Sequence, residues 1–131
     1  MIVLDASAVV ALLLSTDSGR RVAEEISSAT VSLHAPQLLD VEVAQALRRY
    51  VRDGAITADR GVIGVEALGQ LDINRYGHSE LLSRIWALRD KLTAYDATYV
   101  ALAEALDAPL LTLDARLAAA AGHQAEVRLV E

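Results

Sequence analysis

A chain of 131 residues suits one domain and is short for two, so residues 1–131 are expected to form a single unit. A hydrophobic fraction of 53% excludes a disordered chain, and with Phe absent the core falls to Leu, Val, Ile and Ala. The lack of cysteine excludes disulfides, thiolate metal sites and a cysteine nucleophile, and the net charge of −6 argues against nucleic acid unless clustered acids hold a cation that reverses the local field.

Ile2-Val3-Leu4 is a short β-branched run ending at Asp5 and reads as a buried first strand. Ser7 to Leu14 reads as a helix. The apolar run from Ala8 to Leu14 is too short to cross a bilayer, and no basic residue or clean cleavage pattern marks a leader. A cytoplasmic protein without a membrane partner is therefore expected, and the missing cysteines fit a reducing compartment. Ser18 to Ser28 reads as a second helix and Val31 to Ala35 as a strand, ended by Pro36. Leu38 to Arg52 is the clearest amphipathic helix, with Leu39, Val43, Ala46 and Tyr50 on one face and Arg48 and Arg52 opposite. Asp53-Gly54 stops it.

Thr57 to Leu71 is a weaker helix, because Gly61, Gly64 and Gly69 each cost about 1 kcal/mol relative to Ala. Leu71 to Arg75 reads as a strand. Glu80 to Leu92 has Leu81, Ile85, Leu88 and Leu92 at helical spacing, and Asp96 to Leu106 is a further helix closed by Asp107-Ala108-Pro109. Leu110 to Leu113 is a strand ending at Asp114, Arg116 to Ala121 a helix, and Val127 to Val130 a last strand. This alternation predicts an α/β fold, with a short, mostly parallel central sheet covered by helices on both faces.

In such sheets ligands bind at the carboxyl ends of the strands. Asp5 and Asp114 stand at two such ends; Asp96 opens a helix, and Glu42 flanks the apolar face of the Leu38 to Arg52 helix. Each has an ordinary alternative. Asp5, Asp96 and Asp114 are good helix caps, and Glu42 has a structural counter-charge within reach in Arg49. If the strands are neighbours, all four acids converge on one crevice. Several like charges at close range call for a cation, and Mg²⁺, or Mn²⁺ in its place, prefers hard oxygen ligands. Such an ion lets water attack a phosphodiester without a Ser-His or Lys nucleophile.

Four blocks of the chain carry a resemblance: Ile2-Val3-Leu4-Asp5-Ala6-Ser7-Ala8; Pro36-Gln37-Leu38-Leu39-Asp40-Val41-Glu42-Val43; Tyr95-Asp96-Ala97-Thr98-Tyr99-Val100-Ala101-Leu102-Ala103; and Leu111-Thr112-Leu113-Asp114. In order and spacing they resemble the PIN-domain nucleases, and among these the VapC-type toxins of bacterial toxin–antitoxin pairs. The resemblance implies a three-layer fold and a metal-dependent endoribonuclease whose acids are Asp5, Glu42, Asp96 and Asp114. In that reading Asp5 and Asp96 hold Mg²⁺ directly, while Glu42 and Asp114 position water or a second ion. It further implies a homodimer, an RNA substrate and a cognate VapB-like antitoxin that blocks the groove. Thr112 and Ser7 can each orient an acid, or serve strand propensity and helix capping respectively.

The remaining candidates divide between chemistry and packing. His34, His78 and His123 lack paired metal spacing and suit surface or turn positions. Trp86 can stack a base or pack in a core or dimer interface; Tyr95 and Tyr99 suit packing. Arg48, Arg49 and Arg52 can track a phosphate backbone or simply be solvated. Two rival classes remain. A haloacid-dehalogenase-like phosphotransferase wants a second acid where Ser7 stands. A non-enzymatic nucleic-acid-binding module would use the acids to hold metal or a partner.

Overall fold

The computed structural model describes all 131 residues. Five parallel strands form one sheet in the order β3-β2-β1-β4-β5, where β1 is Ile2–Leu4, β2 Leu33–Pro36, β3 Ile73–Tyr76, β4 Leu110–Thr112 and β5 Val127–Leu129. Leu4 lies opposite Leu111, and Val3 pairs with His34 on one side and Leu110 on the other. The central strands are short uninterrupted apolar runs because both of their faces are covered; every residue of β1 and β4 is buried. The α/β expectation holds, and the sheet is wholly parallel.

The chain leaves β1 toward β2 and β3, then crosses back to β4 and β5 on the other side. The strand order therefore reverses between β1 and β4, which opens a crevice above their carboxyl ends. That reversal positions the site.

Seven helices pack around this sheet. Helix α1 (Ala6–Leu14) is apolar on nearly all sides because it is enclosed by α2 (Asp17–Glu25), α3 (Leu38–Arg52) and α4 (Ala58–Gln70). It ends at Ser15, whose left-handed backbone (φ 53°) lets Thr16 cap α2 at once. Gly19 meets α1 so closely that a Cβ there would lie 2.0 Å from the Ala11 carbonyl oxygen. Helix α6 (Ala94–Leu106) buries seven consecutive residues, Ala97 to Ala103, against β1, β2 and β4, and α5 (Leu82–Ala87) packs beside it. Given this strand order, the right-handed rule for crossovers between parallel strands puts these two groups on opposite faces of the sheet. Helix α7 (Ala115–Ala119) bridges β4 and β5.

Four expectations are corrected. The helix expected over Glu80 to Leu92 is a 3₁₀ turn at Ser79–Leu81 followed by α5, which stops at Ala87. Leu88 and Leu92 stay buried, at 2% and 9% exposure, inside an irregular turn, so their spacing marked burial and not helical continuity. His34 is buried within β2, an interior strand, where its ring nitrogens meet Ser32 Oγ at 2.7 Å and Tyr76 Oη at 2.6 Å. Trp86 is not in the core: it is 68% exposed, because Ile85 takes the inward face of α5, and the Arg89 guanidinium lies over its ring at 4.9 Å. Tyr50, expected on the buried face of α3, is also partly exposed.

Candidate active site

Asp5 is the first residue beyond β1, and its environment is built by the neighbouring strand. Because β4 lies beside β1 in parallel register, the Thr112 hydroxyl reaches across to donate to Asp5 Oδ2 at 2.5 Å. Ser7 Oγ donates to Oδ1 at 2.7 Å, and the Ala8 amide donates to the same oxygen at 3.0 Å. Asp5 is thus the N-cap of α1 and a buried acid of the crevice at once; the two readings do not compete. Ser7 also accepts from the Leu113 amide at 3.0 Å, and Thr112 accepts from the Asp114 amide at 3.0 Å. These bonds fasten the ends of β1 and β4 into one frame.

Glu42 projects from α3 and is half-buried. Its partner is not Arg49: the Tyr99 hydroxyl donates to Glu42 Oε1 at 2.5 Å, and no ion pair forms. Tyr99 is 2% exposed, so it packs as expected but also fixes an acid. The signal for it was its spacing, three residues after Asp96 on the same helical face. Asp96 lies in the first turn of α6 but does not cap it. Thr93 is the cap, its Oγ1 accepting from the Asp96 amide at 3.2 Å, so the Asp96 carboxylate is not spent on capping the helix. Asp114 does cap a helix, accepting from the Arg116 amide at 2.9 Å and the Leu117 amide at 3.4 Å.

Asp96 is the hub of the acids' mutual influence: its charge reaches Asp5 and Glu42, and Asp114 acts on Asp96 in turn. Burial pushes the Asp5 carboxyl above its ordinary range, hydrogen bonds from Thr112, Ser7 and Ala8 partly offset this, and Asp96 pushes it further up. Burial also raises Glu42; the Tyr99 bond opposes the rise, and the charges of Asp96 and Asp5 add to it. Asp96 is raised by burial and then by Asp114, against smaller opposing effects of Thr93 and Arg116. Tyr99 is driven well above the usual phenol range by burial and by its bond to Glu42, so it remains a donor. The carboxylates are near enough to repel, as the reversal of strand order requires.

They do not form a closed cage. No three of them meet at one point within ligating reach. This donor set fits Mg²⁺, a hard ion that keeps several waters and takes one or two carboxylates directly, better than a metal that demands full protein ligation. A cavity of about 670 Å³ opens beside Ser7 and Glu42 and extends along α3 to Arg49 and Tyr50. A smaller one of about 250 Å³ opens beyond Asp96 and Asp114. Glu42 borders the larger cavity, and Asp96 and Asp114 border the smaller.

A family model described as PIN domain matches residues 2–123. The chain belongs to the PIN-domain family. Among relatives of this PIN domain, Ribonuclease VapC1 of Mycobacterium tuberculosis is 46% identical over 129 residues, covering 98% of this chain and 96% of that protein. Two solved structures share the fold. The Mycobacterium tuberculosis VapC20 structure, described as a sarcin-ricin loop cleaving toxin, superposes with a TM-score of 0.72 at 15% identity, covering 95% of this chain and 97% of that one. A toxin–antitoxin complex from Klebsiella pneumoniae gives 0.62 at 19% identity, covering 91% of each chain.

Proposed function

We propose that this PIN domain is an Mg²⁺-dependent endoribonuclease, the toxin of a toxin–antitoxin pair. The observation that carries the reading is the gathering of Asp5, Glu42 and Asp96 at the carboxyl edge of β1 and β4, where burial raises each carboxyl and the charge of a neighbouring acid raises it further, an arrangement that favours a divalent cation. Support for RNA as substrate comes from a relative named a ribonuclease at 46% identity over nearly the whole of both chains. No helix is long and apolar enough to cross a membrane, which accords with a substrate met in solution.

Asp5 and Asp96 are the residues suited to hold Mg²⁺, or Mn²⁺, directly, with Glu42 and Asp114 orienting water or a second ion. When bound, the ion supplies an acidified water and neutralises charge on the phosphodiester oxygens. The rest of the work falls to the protein. Thr112 and Ser7 hold both oxygens of Asp5, which fixes where that carboxylate points. Tyr99 holds one oxygen of Glu42 and leaves the other free toward the cleft. Attack of water at phosphorus breaks one P–O ester bond, leaving a phosphate monoester on one product and a hydroxyl on the other. An antitoxin that places a basic side chain among these acids would neutralise them and close the cleft to RNA; a homodimer of this chain forms part of the same reading.

The test is cleavage of a panel of RNAs with mapped ends, by the purified protein with Mg²⁺ and with chelator, for wild type and Asp96→Asn. Cleavage that needs the metal and falls by about a thousand-fold or more in Asp96→Asn, with folding and RNA binding retained, is expected. Unchanged cleavage in the variant removes Asp96 from the mechanism. RNA binding without cleavage by wild type favours the non-enzymatic module.

A further inference from the structure

We infer that Lys91 and Arg116 form a subsite for the RNA backbone on the α7 side of the acids, gripping a phosphate adjacent to the one that is cleaved; this rests on the ribonuclease reading above. The acids alone would repel a polyanion, so the strand must be held by something beside them. The cavity of about 250 Å³ that Asp96 and Asp114 border is also lined by Lys91, Thr93 and Arg116, with Leu92, Leu117 and Ala120 completing it. Lys91 is the single lysine of the chain and makes no ion pair. Arg116 is 95% exposed, and its contact with Asp114, at 3.9 Å, is too long to occupy the guanidinium.

The fold places both cations beside the acids, and packing steadies Lys91. Lys91 sits in the turn between α5 and α6, its stem against Gly122, where a Cβ would lie 3.2 Å from Lys91 Cγ. Gly122 has φ 89°, a conformation that favours glycine, and so its lack of a side chain leaves room for the lysine stem. Arg116 stands in the first turn of α7, two residues after Asp114. A mixed lining that carries an unpaired lysine and a largely exposed arginine suits a phosphodiester backbone better than the apolar face of a protein helix.

The experiment uses the full chain and a fluorescein-labelled single-stranded oligoribonucleotide. Anisotropy gives Kd across a salt series, and cleavage of the same oligomer with Mg²⁺ gives kcat and KM. Lys91→Gln and Arg116→Gln retain the side-chain stems and should fold; matching thermal unfolding checks this. Each substitution is expected to raise Kd and KM about five-fold, and to reduce the slope of log affinity against log salt by about 0.7. Arg116→Lys should restore most of the loss. If wild type cleaves and the double variant keeps wild-type Kd and salt slope, the subsite is wrong while the ribonuclease reading stands. If wild type cleaves nothing yet Kd and slope shift as stated, the subsite stands and catalysis falls.

Discussion

The Thr112 hydroxyl is the residue-scale feature on which the site depends most. It is fully buried, donates to Asp5 Oδ2 and accepts from the Asp114 amide, so it joins two of the acids through one atom. Thr112→Val keeps the shape and deletes both bonds, leaving a buried carboxylate short of a donor; a loss of about 2 kcal/mol is expected in urea unfolding with Mg²⁺ present. Thr112→Ser should recover most of it. That Thr112 and Ser7 orient Asp5 was open from sequence, since each also had an ordinary local role. What decided between the roles was the register of β1 against β4, which no local pattern encodes. Tyr99 was hidden for a related reason: burial was legible from its helix, but its hydroxyl partner lies 57 residues away.

At the scale of elements, the close meeting of α1 and α2 sets where Ser7 and the Asp5 cap sit. Gly19→Ala would drive a methyl into the Ala11 carbonyl, and because that obstacle is backbone the two helices must separate. A destabilisation of about 3 kcal/mol is expected by urea unfolding, at the upper end for an overpacked contact. A change within about 0.5 kcal/mol would show that the α1–α2 approach is looser than described. Most elements were legible in the sequence, because apolar runs and periodic stripes report burial directly. The segment from Glu80 to Leu92 shows the limit of that signal. Leu81, Ile85, Leu88 and Leu92 keep helical spacing, yet only Leu82–Ala87 is α-helix, since a turn can bury leucines as well as a helix can. Asp96 shows another limit: Thr93, three residues earlier, is an equally good cap, and its choice is what frees the acid from capping.

For the whole molecule, the reversal of strand order between β1 and β4 brings acids from four distant stretches of chain to one edge, and their repulsion links stability to pH and metal. Asp5, Glu42 and Asp96 all have raised folded-state values, so the stability they contribute is complete below about pH 4 and is lost as pH rises through those values. His34 acts in the opposite sense. Burial lowers its value, so its contribution is present above the ordinary imidazole range and is lost as pH falls. Comparing Mg²⁺ with chelator at each pH separates the acids from His34. Thermal unfolding of wild type and Asp96→Asn in both conditions is therefore the most direct test that the acids hold a divalent ion. With Mg²⁺ at about one hundred times its dissociation constant, wild type should gain roughly 2.7 kcal/mol at neutral pH, or about 10 °C. The gain should shrink toward pH 4, and Asp96→Asn should melt higher than wild type in chelator and gain little from Mg²⁺. Equal midpoints for wild type with and without Mg²⁺ at neutral pH, or an equal gain in Asp96→Asn, would contradict the account.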